Sequence, residues 1–173
     1  MKDATLFVVG KSHQGDDVIE NLLNYMINSI FADCDEMLTN LSHSDSFDSM
    51  MYEICQVQEP FNMEHHRVMF HFILSTRPSH ISQRILTDGA YAILDYFNML
   101  GHQVIIVPHY GSNHNADNFH YHIAVNPVSA TSQKRLLDKY ETYNNIRDFL
   151  NLNTHSCWSW RYTNTTNYEK YIQ

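Results

Sequence analysis

The chain has 173 residues, 43% of them hydrophobic and 13% aromatic, which suits one globular domain spanning 1–173 and excludes a disordered protein. It holds no apolar run of about 18 residues, so no membrane-spanning helix is expected and a cytoplasmic protein is. A formal net charge of −8 excludes indiscriminate nucleic-acid binding and leaves room for one basic patch around "QKRLLDKY".

The opening "MKDATLFVVGKSHQGDD" turns polar too soon for a signal peptide, and "TLFVVG" (5–10) reads as a first strand. Residues 16–30, "DDVIENLLNYMINSI", put Ile19, Leu22, Leu23, Met26, Ile27 and Ile30 on one helical stripe. A polar, loop-like stretch (31–44) leads to an acidic helix at 46–57. "HHRVMFHFILST" (65–76) alternates as a strand, and Pro78 ends the pattern. A helix at about 81–100 follows and Gly101 stops it.

"HQVIIVPHY" (102–110) and "FHYHIAVN" (119–126) read as two strands joined by the polar turn "GSNHNADN", hence as an antiparallel hairpin. A last helix at about 135–151 is expected to turn Leu136, Leu137, Tyr140, Tyr143, Ile146 and Leu150 inward. The aromatic tail, about 153–173, has no clean period and reads as partly strand and partly loose. The order predicts an α+β fold with a central antiparallel sheet flanked by helices. Cys34, Cys55 and Cys157 form no CxxC pair and read as buried free thiols in a reducing compartment.

The chemistry concentrates in "NFHYHIAVNPV" (118–128). Phe119, Tyr121, Ile123 and Val125 face one way, while His120, His122 and Ala124 face the other. Two imidazoles at i and i+2 lie roughly 6 to 7 Å apart along a strand, close enough to share one metal ion. His109 ends the neighbouring strand and His114 sits in the turn, so a third ligand is at hand. Three imidazoles leave coordination positions open for substrate, the arrangement of a catalytic site. An HxH pair also arises by chance among 12 histidines, and spacing leaves zinc hydrolysis and magnesium- or manganese-assisted phosphoryl transfer both open.

"HFILSTRP", "HQVIIVPHY", "DNFHYHIAVNPVS" and "KRLLDKYETYNNIRDFL" follow one another in an order that resembles the relaxase (mobilization nuclease) family of HUH endonucleases, over about residues 65–150. The resemblance implies that His120, His122 and His109 hold a divalent ion (manganese or magnesium, with zinc the third choice) at the scissile phosphate. Two departures matter. The turn before the histidine pair is longer than is usual in the family, so His114 competes with His109 as third ligand. "SATSQKR" also replaces the glycine that normally follows Val-Asn-x-Val.

Relaxases cut one strand with a tyrosine. In the branch that carries it on the first helix, "LLNYMINS" matches, which implies Tyr25 among 11 tyrosines. Tyr25 sits beside the apolar stripe, where an ordinary rim tyrosine would also sit. His71 and Asn126 are implied in support, with plain packing and strand capping as their alternatives. Lys134, Arg135, Lys139 and Arg147 are candidate phosphate contacts against the default of a solvated face.

The implied function is metal-dependent, site- and strand-specific nicking and transfer of DNA in conjugative mobilization. The partners would be single-stranded DNA at an origin of transfer and accessory mobilization proteins. One alternative is a non-catalytic DNA-binding accessory protein with a relaxase-like fold. Another is a replication initiator, in which Tyr140 or Tyr143 would be the nucleophile.

Overall fold

The computed structural model describes residues 4–10, 17–63, 66–76, 82–111 and 117–163. In chain order they form β1 (Ala4–Val9), α1 (Val18–Ile27), a 3-10 turn (Cys34–Glu36), β2 (Leu38–Thr39), α2 (Phe47–Gln58), β3 (Phe70–Thr76), α3 (Ser82–Leu100), β4 (His102–Tyr110), β5 (Phe119–Ser129), α4 (Tyr140–Asn153) and β6 (Trp158–Thr163). The six strands make one sheet in the order β2-β4-β5-β3-β1-β6. Neighbours are antiparallel except β1 and β6, which run parallel at one edge. The α+β class and the β4–β5 hairpin are as expected, and the parallel edge makes the sheet mixed.

Strand alternation gives the sheet two unlike faces. Leu6, Val8, Phe70, Phe72, Leu74, Val104, Ile106, Tyr121, Ile123 and Val125 turn to one side and form a buried core with α3 and α4. Ile105, Val107 and Ala124 turn to the other side and pack on Leu22, Leu23 and Met26 of α1 and Met50 and Ile54 of α2. The histidines of β4 and β5 share that second side.

Several sequence expectations are corrected. α1 ends at Ile27, and Ile30 is 90% exposed instead of continuing the apolar stripe. The chain leaves the helix because residues 31–33 run along the edge of β4: Ala32 bridges His109, Tyr110 N–H donates to the Phe31 carbonyl, and Asp33 N–H donates to the Pro108 carbonyl. The stretch 31–44 is therefore more than a loop, since it carries β2.

β3 starts at Phe70, well after 65. Before it, Arg67 spends its guanidinium on the Val9 and Gly10 carbonyls, and Gln58 takes the Val68 carbonyl. α4 starts at Tyr140 because residues 135–136 are held against the end of β5, where Arg135 bridges Val128 and Leu136 N–H donates to the Pro127 carbonyl. Leu137 and Tyr140 consequently face solvent, while Tyr143, Ile146 and Leu150 are buried as expected. All three cysteines are exposed, against the expectation of burial. The tail contributes β6 up to Thr163, and the remainder lies outside the described residues. Among the described residues no helix is long and apolar enough to cross a membrane.

Candidate active site

The antiparallel β4–β5 register sets His109 directly opposite His120. Period-2 alternation puts His122 on the same face, two residues along. The ligand-capable nitrogens of His109, His120 and His122 all lie within 4.8 Å of one another, and all three residues are buried. His114 lies outside the described residues.

Each ring is held from behind. His109 Nε2 donates to the Met26 carbonyl at 2.8 Å, which fixes the ring to the end of α1. His120 Nδ1 donates to the Asn118 carbonyl at 2.9 Å. His122 lies between two other imidazoles, its Nε2 3.0 Å from His120 Nε2 and its Nδ1 2.9 Å from His71 Nε2. His71 reaches it from β3, where it pairs with Ala124 and shares the histidine face.

Burial disfavours the charged imidazolium. It lowers the His109 pKa against the opposing pull of the Met26 carbonyl. It pushes His120 down to about 4, with the Asn118 carbonyl opposing and His109 adding to the fall. His122 is driven well below its ordinary value by burial and then by its three imidazole neighbours. The rings are neutral near pH 7, the form in which imidazole offers a lone pair.

Those lone pairs can be assigned. A carbonyl only accepts, so His109 keeps Nδ1 bare and His120 keeps Nε2 bare. Two imidazole nitrogens bound to one ion at roughly 2.1 Å each lie roughly 3.0 Å apart at a right angle and roughly 3.4 Å apart at a tetrahedral one, so the 3.0 Å between His120 Nε2 and His122 Nε2 is within reach of a shared ion. The donor set fits a first-row divalent ion. It fits magnesium poorly, since that ion is held by oxygen ligands.

Tyr25 stands over this cluster from α1. Its ring lies edge-on to His122 with centroids 5.1 Å apart, 6.2 Å from His71 and 6.3 Å from His109. The residue is 43% exposed, so one side packs on imidazoles while the other meets solvent. The last turn of α1 supplies both Tyr25 and the Met26 carbonyl, so one helix end positions the tyrosine and the His109 ring together.

This geometry accompanies a sequence match. The nuclease-domain model of the MobA/VirD2-like relaxases matches residues 25–155. The chain belongs to the relaxase family. No curated protein and no solved structure matches it.

Other expected site residues of this relaxase lie elsewhere. Tyr143 is buried on α4, where its hydroxyl donates to Asp138, and Tyr140 is exposed with its ring on Trp160. α4 covers the face opposite the histidines. Lys139 pairs with Glu141 and Arg147 with Asp148 on that helix, Arg135 donates to the Asn62 carbonyl, and Lys134 is exposed beyond the far end of β5. Asn126 is fully buried and ties α2 to the sheet: it donates to the Ile54 carbonyl and Gln103, and accepts from Gln58 and the Val128 N–H. It lies four residues past His122; its backbone carbonyl accepts from His102 Nδ1 at 2.9 Å, and none of these bonds runs to His71, His109, His120 or His122.

One residue of interest escaped the sequence reading. Ser75 is 1% exposed on the histidine face of β3, and among the described residues its hydroxyl has no hydrogen-bond partner. Continuing the β3–β5 pairing by one residue beyond Leu74–Tyr121 brings it level with His120. Nothing but its place in "HFILST" could have marked it beforehand.

Proposed function

We propose that this relaxase nicks one DNA strand through Tyr25, with His109, His120 and His122 holding a divalent ion beside the scissile phosphate. The observation that carries the reading is the edge-on contact of the half-exposed Tyr25 ring with His122. A phenol on the rim of a buried imidazole cluster is reachable by a single strand while its ring stays fixed.

In the proposed reaction the Tyr25 hydroxyl oxygen forms a bond to phosphorus and the bond from phosphorus to the 3′ oxygen breaks. The phenol proton is lost, and the departing oxygen gains one to become a 3′ hydroxyl. The products are a 5′-phosphotyrosine and a free 3′ end, so attack by a 3′ hydroxyl reverses the step and transfers the strand. A bound ion would supply charge neutralisation at the non-bridging phosphate oxygens. The chain's own contributions are placement and dryness. α1 fixes the phenol, two backbone carbonyls fix the rings of His109 and His120, and burial keeps the imidazoles neutral.

A second reading, a binding-only accessory protein, draws on the net charge of −8 and on the pairing of Lys139 and Arg147 with their own neighbours. Incubation with single-stranded oligonucleotides from the element's own transfer region and manganese separates the two. A covalent protein–DNA band in the wild type that Tyr25→Phe lacks supports nicking. Tight DNA binding without any covalent band supports the accessory role.

A further inference from the structure

Besides the three candidate ligands, the site holds a fourth buried imidazole. We propose that His71 is a positioning residue that accepts a hydrogen bond from His122 Nδ1 and so keeps the Nε2 lone pair of His122 turned into the triad. The inference rests on the triad reading above.

The four groups form one row with a definite hydrogen-bond polarity. The Asn118 carbonyl can only accept, so His120 carries its single proton on Nδ1 and its Nε2 is bare. The 3.0 Å contact between His120 Nε2 and His122 Nε2 needs a proton between them, and without an ion His122 must provide it. His122 Nδ1 is then bare and accepts from His71 Nε2 at 2.9 Å. In this state the row points from His71 through His122 and His120 to the Asn118 carbonyl, and His122 has no lone pair to give.

An ion shared by His120 and His122 requires both Nε2 atoms bare. The proton of His122 must then sit on Nδ1, where the group opposite has to accept. His71 can do so by carrying its own proton on Nδ1. Each of the three rings holds one proton before and after, so the change is a shift of tautomers and no group needs to titrate. An arginine or lysine at position 71 would only donate and would hold His122 in the non-ligating form, whereas histidine serves both states. A ring serving only as packing would have no need of a nitrogen at this distance, and a leucine of similar reach would do.

The test uses zinc as a diamagnetic probe on the whole chain. Nitrogen-15 spectra of the wild type should show His122 protonated on Nε2 without zinc, and on Nδ1 with zinc bound. Calorimetric titration should find zinc affinity about 10- to 100-fold weaker in His71→Leu, the usual effect of losing the partner behind a ligand. His71→Gln, whose carbonyl oxygen can accept in the same place, should stay within a few-fold of wild type. His122 still protonated on Nε2 in the zinc form, or wild-type affinity in a folded His71→Leu, overturns the proposal. If His71→Leu does not fold, the wild-type spectra and the glutamine variant decide. His122→Ala tells the two readings apart: unchanged zinc affinity there overturns the triad itself, while weak binding there with wild-type affinity in His71→Leu overturns only the role of His71.

Discussion

The two faces of the sheet, built from the same strands, solve different problems. On the side of α3 and α4, Phe70, Phe72, Tyr121 and Ile123 meet Phe97, Tyr143 and Ile146 in a core where apolar contact predominates. On the side of α1 and α2, His71, His109, His120, His122 and Asn126 are also buried, but each is held by named hydrogen bonds. One face draws stability from area removed from water, and the other keeps polar groups dry by satisfying them. The difference separates fold from chemistry: substitutions in the core of the first face should change stability, and substitutions of the second face's histidines should change binding.

The largest break expected in that division is at His122. His122→Ala should weaken divalent-ion binding by roughly 100-fold or more, since it removes a ligand outright, and should abolish nicking. Calorimetry with manganese and a nicking assay on the same preparation check both parts, and circular dichroism should show a folded protein.

Gly89 sharpens the comparison from the other face. It sits in α3 against Trp158 of β6, and an added Cβ would lie 2.5 Å from Cη2 and Cζ2 of the indole. The indole cannot easily yield, because its Nε1 donates to Thr154 Oγ1. Overpacking of this kind costs about 1–3 kcal/mol, against roughly 1 kcal/mol gained by alanine over glycine in a helix. Gly89→Ala should therefore lower Tm by a few degrees in a thermal melt, with ion affinity unchanged.

Ser75→Ala is the subtler probe. Its hydroxyl satisfies nothing among the described residues, so removing it should leave Tm level or slightly raised. A fall in nicking rate of about 10-fold, with ion affinity intact, would mark the hydroxyl as a donor to substrate. The smallest effects belong to α4. Lys139→Ala and Arg147→Ala remove charges already paired with Glu141 and Asp148, one exposed at the N-cap and the other half-buried on the helix, and filter-binding affinity for single-stranded DNA should stay within about two-fold.

What was legible in the sequence follows the same split. The alternation at 119–125 announced both the core face and the histidine face, because a strand sorts its side chains with period 2. His109 was recoverable because the hairpin partner is adjacent in sequence. Element ends were not, since α1 stops where Ala32 bridges His109, a pairing distant in sequence, and α4 waits until Arg135 has bridged Val128, a pairing that no helical period announces. "WSWRYT" does alternate, with Trp158 and Trp160 on the core face, but alternation names no partner, so the parallel pairing with β1 was not legible. The bond from His71 to His122 depends on the β3–β5 register, which no local pattern states. Asn126 was visible, but its bond to Gln58 joins it to α2, an element distant in sequence.

The most direct test of the central claim is to trap the covalent protein–DNA adduct, digest it, and find the modified peptide by mass spectrometry. The account predicts one nucleotide-bearing peptide, modified at Tyr25. Modification at Tyr140 or Tyr143 would contradict it, and so would a wild-type protein that binds manganese and its own transfer-region DNA but forms no adduct.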